Sequence, residues 1–129
     1  MRLEHVAFNV DDPAGLAAWY VDNLGMKILR SFAEAPYIHF LADSAEKSLI
    51  EVYSNPLGEI INYREHHPVS FHLAFAVDDM DVERKRLVEA GARLDGDIDE
   101  RPNGDRLAFL RDPWGHAIQL VQRKQSMID

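Results

Sequence analysis

The sequence predicts an α+β protein made of two pseudo-symmetric βαβββ modules. Three observations predict it. First, His5-Val6-Ala7-Phe8-Asn9-Val10-Asp11-Asp12 returns 67 residues later as His72-Leu73-Ala74-Phe75-Ala76-Val77-Asp78-Asp79. Second, later landmarks recur in the same order. Asn23-Leu24-Gly25 matches Glu89-Ala90-Gly91, and Phe40-Leu41-Ala42-Asp43 matches Phe109-Leu110-Arg111-Asp112. Leu49-Ile50-Glu51-Val52-Tyr53 matches Ala117-Ile118-Gln119-Leu120-Val121. Third, each copy opens with period-two alternation, passes to helical spacing, and returns to short strand-like runs. A chain of 129 residues suits one domain whose two halves share a core. Module 1 covers about 1–54, a connector about 55–69, module 2 about 70–123, and a frayed tail 124–129.

Each element has a local reason. Leu3–Val10 alternates, with Val6, Phe8 and Val10 on one side and His5, Ala7 and Asn9 on the other. Asp11-Asp12-Pro13 is a helix start, with a capping carboxylate and a proline in the first turn. Leu16, Trp19, Tyr20 and Leu24 then follow at helical spacing, and Gly25 closes the helix. Trp19 and Tyr20 read as packing on the helix face or as a dimer contact. Strands follow near Lys27–Phe32, Tyr37–Leu41 and Ser48–Tyr53. In module 2 a strand spans Phe71–Val77, Asp78 or Asp79 caps a helix, and Gly91 ends it. Strands follow near Arg93–Leu94, Arg106–Leu110 and Ala117–Gln122, the last two joined by the turn Asp112-Pro113-Trp114-Gly115. Glu83-Arg84-Lys85-Arg86 reads as a solvated helix face and His66-His67 as a solvated loop.

Composition narrows the function. There are 14 basic and 22 acidic side chains, a net charge of −8, which argues against a binder of nucleic-acid phosphates. No apolar run is long enough to span a membrane, and the N-terminus has no secretory h-region. The chain has no cysteine, so disulfides, thiolate zinc sites and cysteine nucleophiles are excluded. These features fit a cytoplasmic protein, and any metal must rest on His, carboxylate or amide groups.

Both helices lie on one side of the strands, so the other face must be covered or line a cavity. That face holds His5, Ala7, Asn9, Leu49, Glu51 and Tyr53 in module 1. In module 2 it holds His72, Ala74, Ala76, Ala117, Gln119 and Val121. By the same alternation the third strands add His39 and Arg106, expected at the substrate, with Arg106 as a clamp for a carboxylate or phosphate. Small residues beside His, Glu and Gln suit a wet cavity with a few polar anchors. His5 and His72 are equivalent, as are Glu51 and Gln119. Related halves bring the four around one point, where two imidazoles, a carboxylate and an amide oxygen suit a divalent metal such as Zn, Ni, Fe, Mn or Co.

The chain resembles the vicinal oxygen chelate superfamily, which includes glyoxalase I, methylmalonyl-CoA epimerase, extradiol dioxygenases and bleomycin resistance proteins. His5–Val10, Asn23–Met26, Leu49–Val52, His72–Val77 and Asp112–Leu120 carry the resemblance. It implies an open, cup-shaped mixed sheet with helices outside and a metal in the cup. It implies a small-molecule substrate and a homodimer. Carried over residue by residue, His5, Glu51, His72 and Gln119 take the four ligand positions of the glyoxalase I-like set. Gln119 departs from that set, which has Glu there. An amide cannot accept a proton at neutral pH, so Glu51 is left as the catalytic base. The expected function is a metal-dependent enzyme of the glyoxalase/dioxygenase type, doing isomerase, lyase or oxygenase chemistry on an oxygen-chelating substrate. The alternative is a metal-free protein that sequesters a small molecule, as bleomycin resistance proteins do.

Overall fold

A computed structural model of the chain describes residues 1–128, which fall into two compact units, 1–61 and 62–128. Unit 1 contains β1 (His5–Asn9), α1 (Pro13–Leu24), β2 (Lys27–Ser31), β3 (His39–Ala42) and β4 (Leu49–Tyr53). Unit 2 contains β5 (Leu73–Ala76), α2 (Met80–Glu89), β6 (Arg93–Leu94), β7 (Asp99–Glu100), β8 (Arg106–Arg111) and β9 (Ala117–Gln122). Both are βαβββ modules; unit 2 adds the two-residue β7 on the edge of β8. The hydrogen-bonded strands form two sheets rather than one, in the orders β1-β4-β3-β2 and β5-β9-β8-β6. In each, the first strand runs parallel to the last and the remaining pairs are antiparallel. The connector is divided, and its second half, with short 3₁₀ turns at Tyr63–Glu65 and Pro68–Ser70, belongs to unit 2. Among the described residues no helix is long and apolar enough to cross a membrane.

In unit 1 the Asp12 carboxylate caps α1 by accepting the Gly15 N–H at 3.0 Å. Pro13 stands in the first turn, and Gly25 ends the helix in the left-handed region at φ +68°. Leu16 and Tyr20, one turn apart and fully buried, face Leu41, Ile50 and Val52 from the sheet. In unit 2 Asp79 caps α2 through the Val82 N–H. Met80 and Leu87, two turns apart, are buried with Leu110, Ile118 and Leu120. Gln122, at the end of β9, accepts the Met80 N–H at 2.8 Å and satisfies a further donor of that helix start.

The hairpin turn before β9 is tied by one buried side chain. Asp112 Oδ1 accepts from the Trp114 and His116 backbones, and its carboxylate meets His116 Nδ1 at 2.9 Å. Gly115 sits at φ +95°, and a Cβ there would collide with the side chain of Arg64. Lys124, where the tail begins, is held by Asp105 Oδ1 at 2.9 Å. The final residue of the expected tail, Asp129, lies outside the described residues.

Candidate functional site

The sheet face turned away from α1 is the open face of unit 1. β1 pairs with β4 so that His5 lies opposite Leu49, Ala7 opposite Glu51 and Asn9 opposite Tyr53. These residues share one face, while Ile50 and Val52 point at the helix. On that face His5 Nδ1 lies 2.9 Å from Glu4 Oε1. A carboxylate only accepts, so in the neutral ring Nδ1 carries the proton and Nε2 keeps its lone pair. Nε2 faces Glu51 Oε1 at 3.6 Å, too long for a hydrogen bond but within Coulombic reach. Glu51 is mostly covered, its side chain 15% exposed. The His5 ring meets Phe40 edge-on at 5.7 Å.

Unit 2 repeats the arrangement. β5 pairs with β9 so that Ala74 lies opposite Gln119 and Ala76 opposite Val121. His72, one residue before β5, lies 2.9 Å from the Pro68 carbonyl through Nδ1. A carbonyl also only accepts, so Nε2 is again the unprotonated nitrogen. The His72 ring meets Phe109 at 5.0 Å and 73°. Gln119 is half-buried, and among the described residues its amide has no hydrogen-bond partner. Each unit therefore presents a histidine with a fixed tautomer, an edge-on phenylalanine and one oxygen donor. The donor is a carboxylate in unit 1 and an amide in unit 2. Among the described residues no group of three or more His, Asp or Glu is close enough to hold a metal.

The third strands correct the sequence reading. β3 pairs with β4 so that Phe40, not His39, lies opposite Glu51. β8 pairs with β9 so that Phe109 lies opposite Gln119, while Arg106 lies opposite Gln122. His39 therefore stands on the helix side, 8% exposed, with Nδ1 on the Tyr37 carbonyl at 2.7 Å. Arg106 also stands on the helix side, bonded to Asp81 of α2 and Glu100 of β7, each at 2.9 Å. There it ties α2 and β7 to β8, and it holds the Asp81 carboxyl below the ordinary carboxylate range. The cause of the error is the side-chain period of two, because one residue of register reverses every side chain. The loop length between paired strands sets that register, and alternation within one strand does not reveal it. The repeat itself carried the missing signal, since it aligns Phe40 with Phe109.

Asn9 has a structural role on the open face. Its Nδ2 donates to the Asn55 and Gly58 carbonyls, and its Oδ1 accepts the Asn55 N–H at 2.7 Å. It fastens the first half of the connector to β1. Arg111 does the same work in unit 2, and no local sequence pattern marks it for that role. Its Nη1 donates to the Tyr63 and Gly115 carbonyls, its Nη2 to His66 O, and its Nε to Asp95 at 2.7 Å. His66 and His67 lie in an exposed loop, where His67 Nδ1 accepts the Val69 N–H at 3.1 Å.

The module order and the histidine-bearing face of each unit define a class of protein. The chain belongs to the Glyoxalase/Bleomycin resistance protein/Dioxygenase superfamily, whose sequence model matches residues 2–120. It is 28% identical over 132 residues to a lactoylglutathione lyase of Salmonella typhimurium, covering 98% of this chain and 96% of that one. It is 34% identical over 131 residues to an ethylmalonyl-CoA/methylmalonyl-CoA epimerase of Cereibacter sphaeroides, covering 94% and 97%. Its fold matches a glyoxalase family protein from Bacillus cereus with a TM-score of 0.78 at 20% identity, over 95% and 93% of the chains. The superfamily hosts enzymes of small-molecule chemistry, and lyase and epimerase relatives support an enzyme here.

Proposed function

We propose that the chain is a divalent-metal-dependent enzyme that moves a proton on the carbon beside a carbonyl of a small, oxygen-rich acyl thioester. The carrying observation is the matched pair of histidines, each with Nδ1 on an oxygen acceptor and Nε2 free on the open face. Oriented imidazoles of this kind are what a metal ligand requires. His5, Glu51, His72 and Gln119 would hold the ion, and their donor chemistry fits one. Three of the four are neutral, so a divalent ion would keep a net charge of +1. When bound, that ion supplies Lewis-acid polarisation of the carbonyl and makes the neighbouring C–H more acidic.

The chain's own residues do the rest. Glu51 is the one carboxylate among the four positions, so it takes the proton and returns it. Gln119 accepts no proton and contributes an oxygen dipole. Phe40 and Phe109 flank the two histidines and keep water from that side. The thioester class is supported by the two relatives, since lactoylglutathione and methylmalonyl-CoA are both acyl thioesters. A homodimer is part of the same reading.

Deuterium uptake at C2 of S-lactoylglutathione and of methylmalonyl-CoA, followed by NMR in D₂O, tests the proposal alongside metal content. The expected result is about one metal per chain, exchange abolished by EDTA, and both lost in His5→Ala/His72→Ala. Less than about 0.1 metal per chain, with ligand binding that survives EDTA and the double substitution, would establish a metal-free sequestering protein instead.

A further inference from the structure

A second cluster on unit 2 is only partly explained by folding and not at all by the proposed metal chemistry. An open cleft of about 250 Å³ is lined by Arg64, Arg93, Leu94, Asp95 and Arg111. Three guanidinium groups face one carboxylate, a local excess of positive charge on a chain whose net charge is −8. Arg93 and Arg111 are register partners across β6 and β8, so they are adjacent on one face. Arg111 is nine-tenths buried, and its Nε already neutralises Asp95. Arg64 lies across Gly115 and donates to the Pro113 carbonyl at 2.9 Å, without a counter-charge. The Arg93 side chain makes no hydrogen bond or ion pair among the described residues. Elsewhere in unit 2, Arg86, Arg101, Arg106 and Arg123 each meet a carboxylate, and Arg84 donates to the Gly96 carbonyl. Two uncompensated guanidiniums against a rigid wall are an arrangement for an incoming anion.

We propose that this cleft binds a phosphoryl group of a small-molecule ligand. Guanidinium forks match phosphate oxygens in pairs, and two or three of them suit a dianion better than a single carboxylate. The cleft also lies on the face that matters. Arg111 pairs with Ala117 and so shares the face of Phe109 and Gln119. His72 extends the same row two strands away, about 10 Å at the usual strand spacing. A phosphorylated tail held here would leave the acyl end free to reach His72. Anion binding stands on the arginines alone; its assignment to the substrate rests on the function proposed above.

Titration of the full chain, as purified, with inorganic phosphate at constant ionic strength tests it, read by ³¹P NMR and calorimetry. Saturable binding is expected, weakened about tenfold by Arg93→Gln and about tenfold by Arg64→Gln, the scale of a lost charge-assisted contact. Both side chains are exposed, and circular dichroism checks that the variants fold. His5→Ala/His72→Ala should leave the phosphate affinity unchanged, which separates this site from the metal proposal. Acetate, a single carboxylate, should bind at least about tenfold more weakly. Absence of saturable binding, affinity unaffected by both arginine changes, loss in the histidine variant alone, or equal affinity for acetate would each overturn the proposal.

Discussion

The two units share a topology but divide the chemistry between them. Unit 1 offers His5 beside a carboxylate, while unit 2 offers His72 with an amide, Gln119, on the same face. The units also fasten the connector by different means. Asn9 holds Asn55 and Gly58 with neutral hydrogen bonds, whereas Arg111 holds Tyr63 and His66 with a buried charge neutralised by Asp95. Equivalent positions thus keep the backbone and the histidines and change what lies beside them. The backbone is set by strand pairing and helix packing, which tolerate such exchanges. The difference between Glu51 and Gln119 is where the two copies diverge chemically.

The sharpest way to break that comparison is to remove its one carboxylate. Glu51→Gln should lower the rate of C2–H exchange by about 10²–10⁴-fold, the usual contribution of a positioned base. Retained metal in that variant, measured by elemental analysis, would assign the loss to proton transfer. The reverse change restores the symmetry. Gln119→Glu supplies a second carboxylate and should raise exchange on S-lactoylglutathione by about tenfold or more, within the range of general-base effects. A change below twofold would mean that the unit 2 oxygen has no part in the chemistry.

Stability offers a second test, because both cores are built alike. Leu16→Ala and Leu120→Ala each empty a fully buried site under a helix. Each should cost about 2–5 kcal/mol in urea denaturation. A much smaller loss in one unit would show that its core relaxes around the cavity. Removal of Asp112 strips three donors, two backbone N–H groups and the His116 ring, of their acceptor. Asp112→Ala should cost about 1–3 kcal/mol, the penalty for buried donors left unpaired.

The smallest effect concerns acid. The Asp105 carboxyl accepts from the Lys124 backbone first and Arg123 second, and both hold its pKa below the ordinary value. A carboxyl lowered in the folded state adds stability above its unfolded pKa and loses it as pH falls through the folded one. Stability should therefore decline below about pH 4, and Asp105→Asn should flatten that acid limb in thermal melts. An unchanged limb would show that the Asp105 anchor is not what acid titrates.

Much of the fold was legible because its signals are local. Asp12, Pro13 and Gly25 mark the ends of α1 by capping chemistry that needs no distant partner. Gly91, at φ +110°, follows directly on the Ala90 cap of α2. Half of each candidate site was legible too, since His5, Glu51, His72 and Gln119 all fall on the faces that alternation assigns them. The third strands were not legible. Alternation assigns His39 and Arg106 to the open face, and cross-strand pairing puts Phe40 and Phe109 there instead. Arg111 reads from sequence as one more cation after a strand. Its role depends on Asp95 and on carbonyls more than 40 residues away.

The sequence by itself determined the repeat, the helix boundaries, the absence of thiol chemistry and the four polar residues at equivalent positions. Those properties follow from residue identity and short-range spacing. Only the tertiary structure decided which side chains flank the histidines, which nitrogen of each ring is free, and which arginines lack a counter-charge. These depend on strand register and on partners distant in the chain. One residue of register exchanges the two faces of a strand, and no local pattern records it.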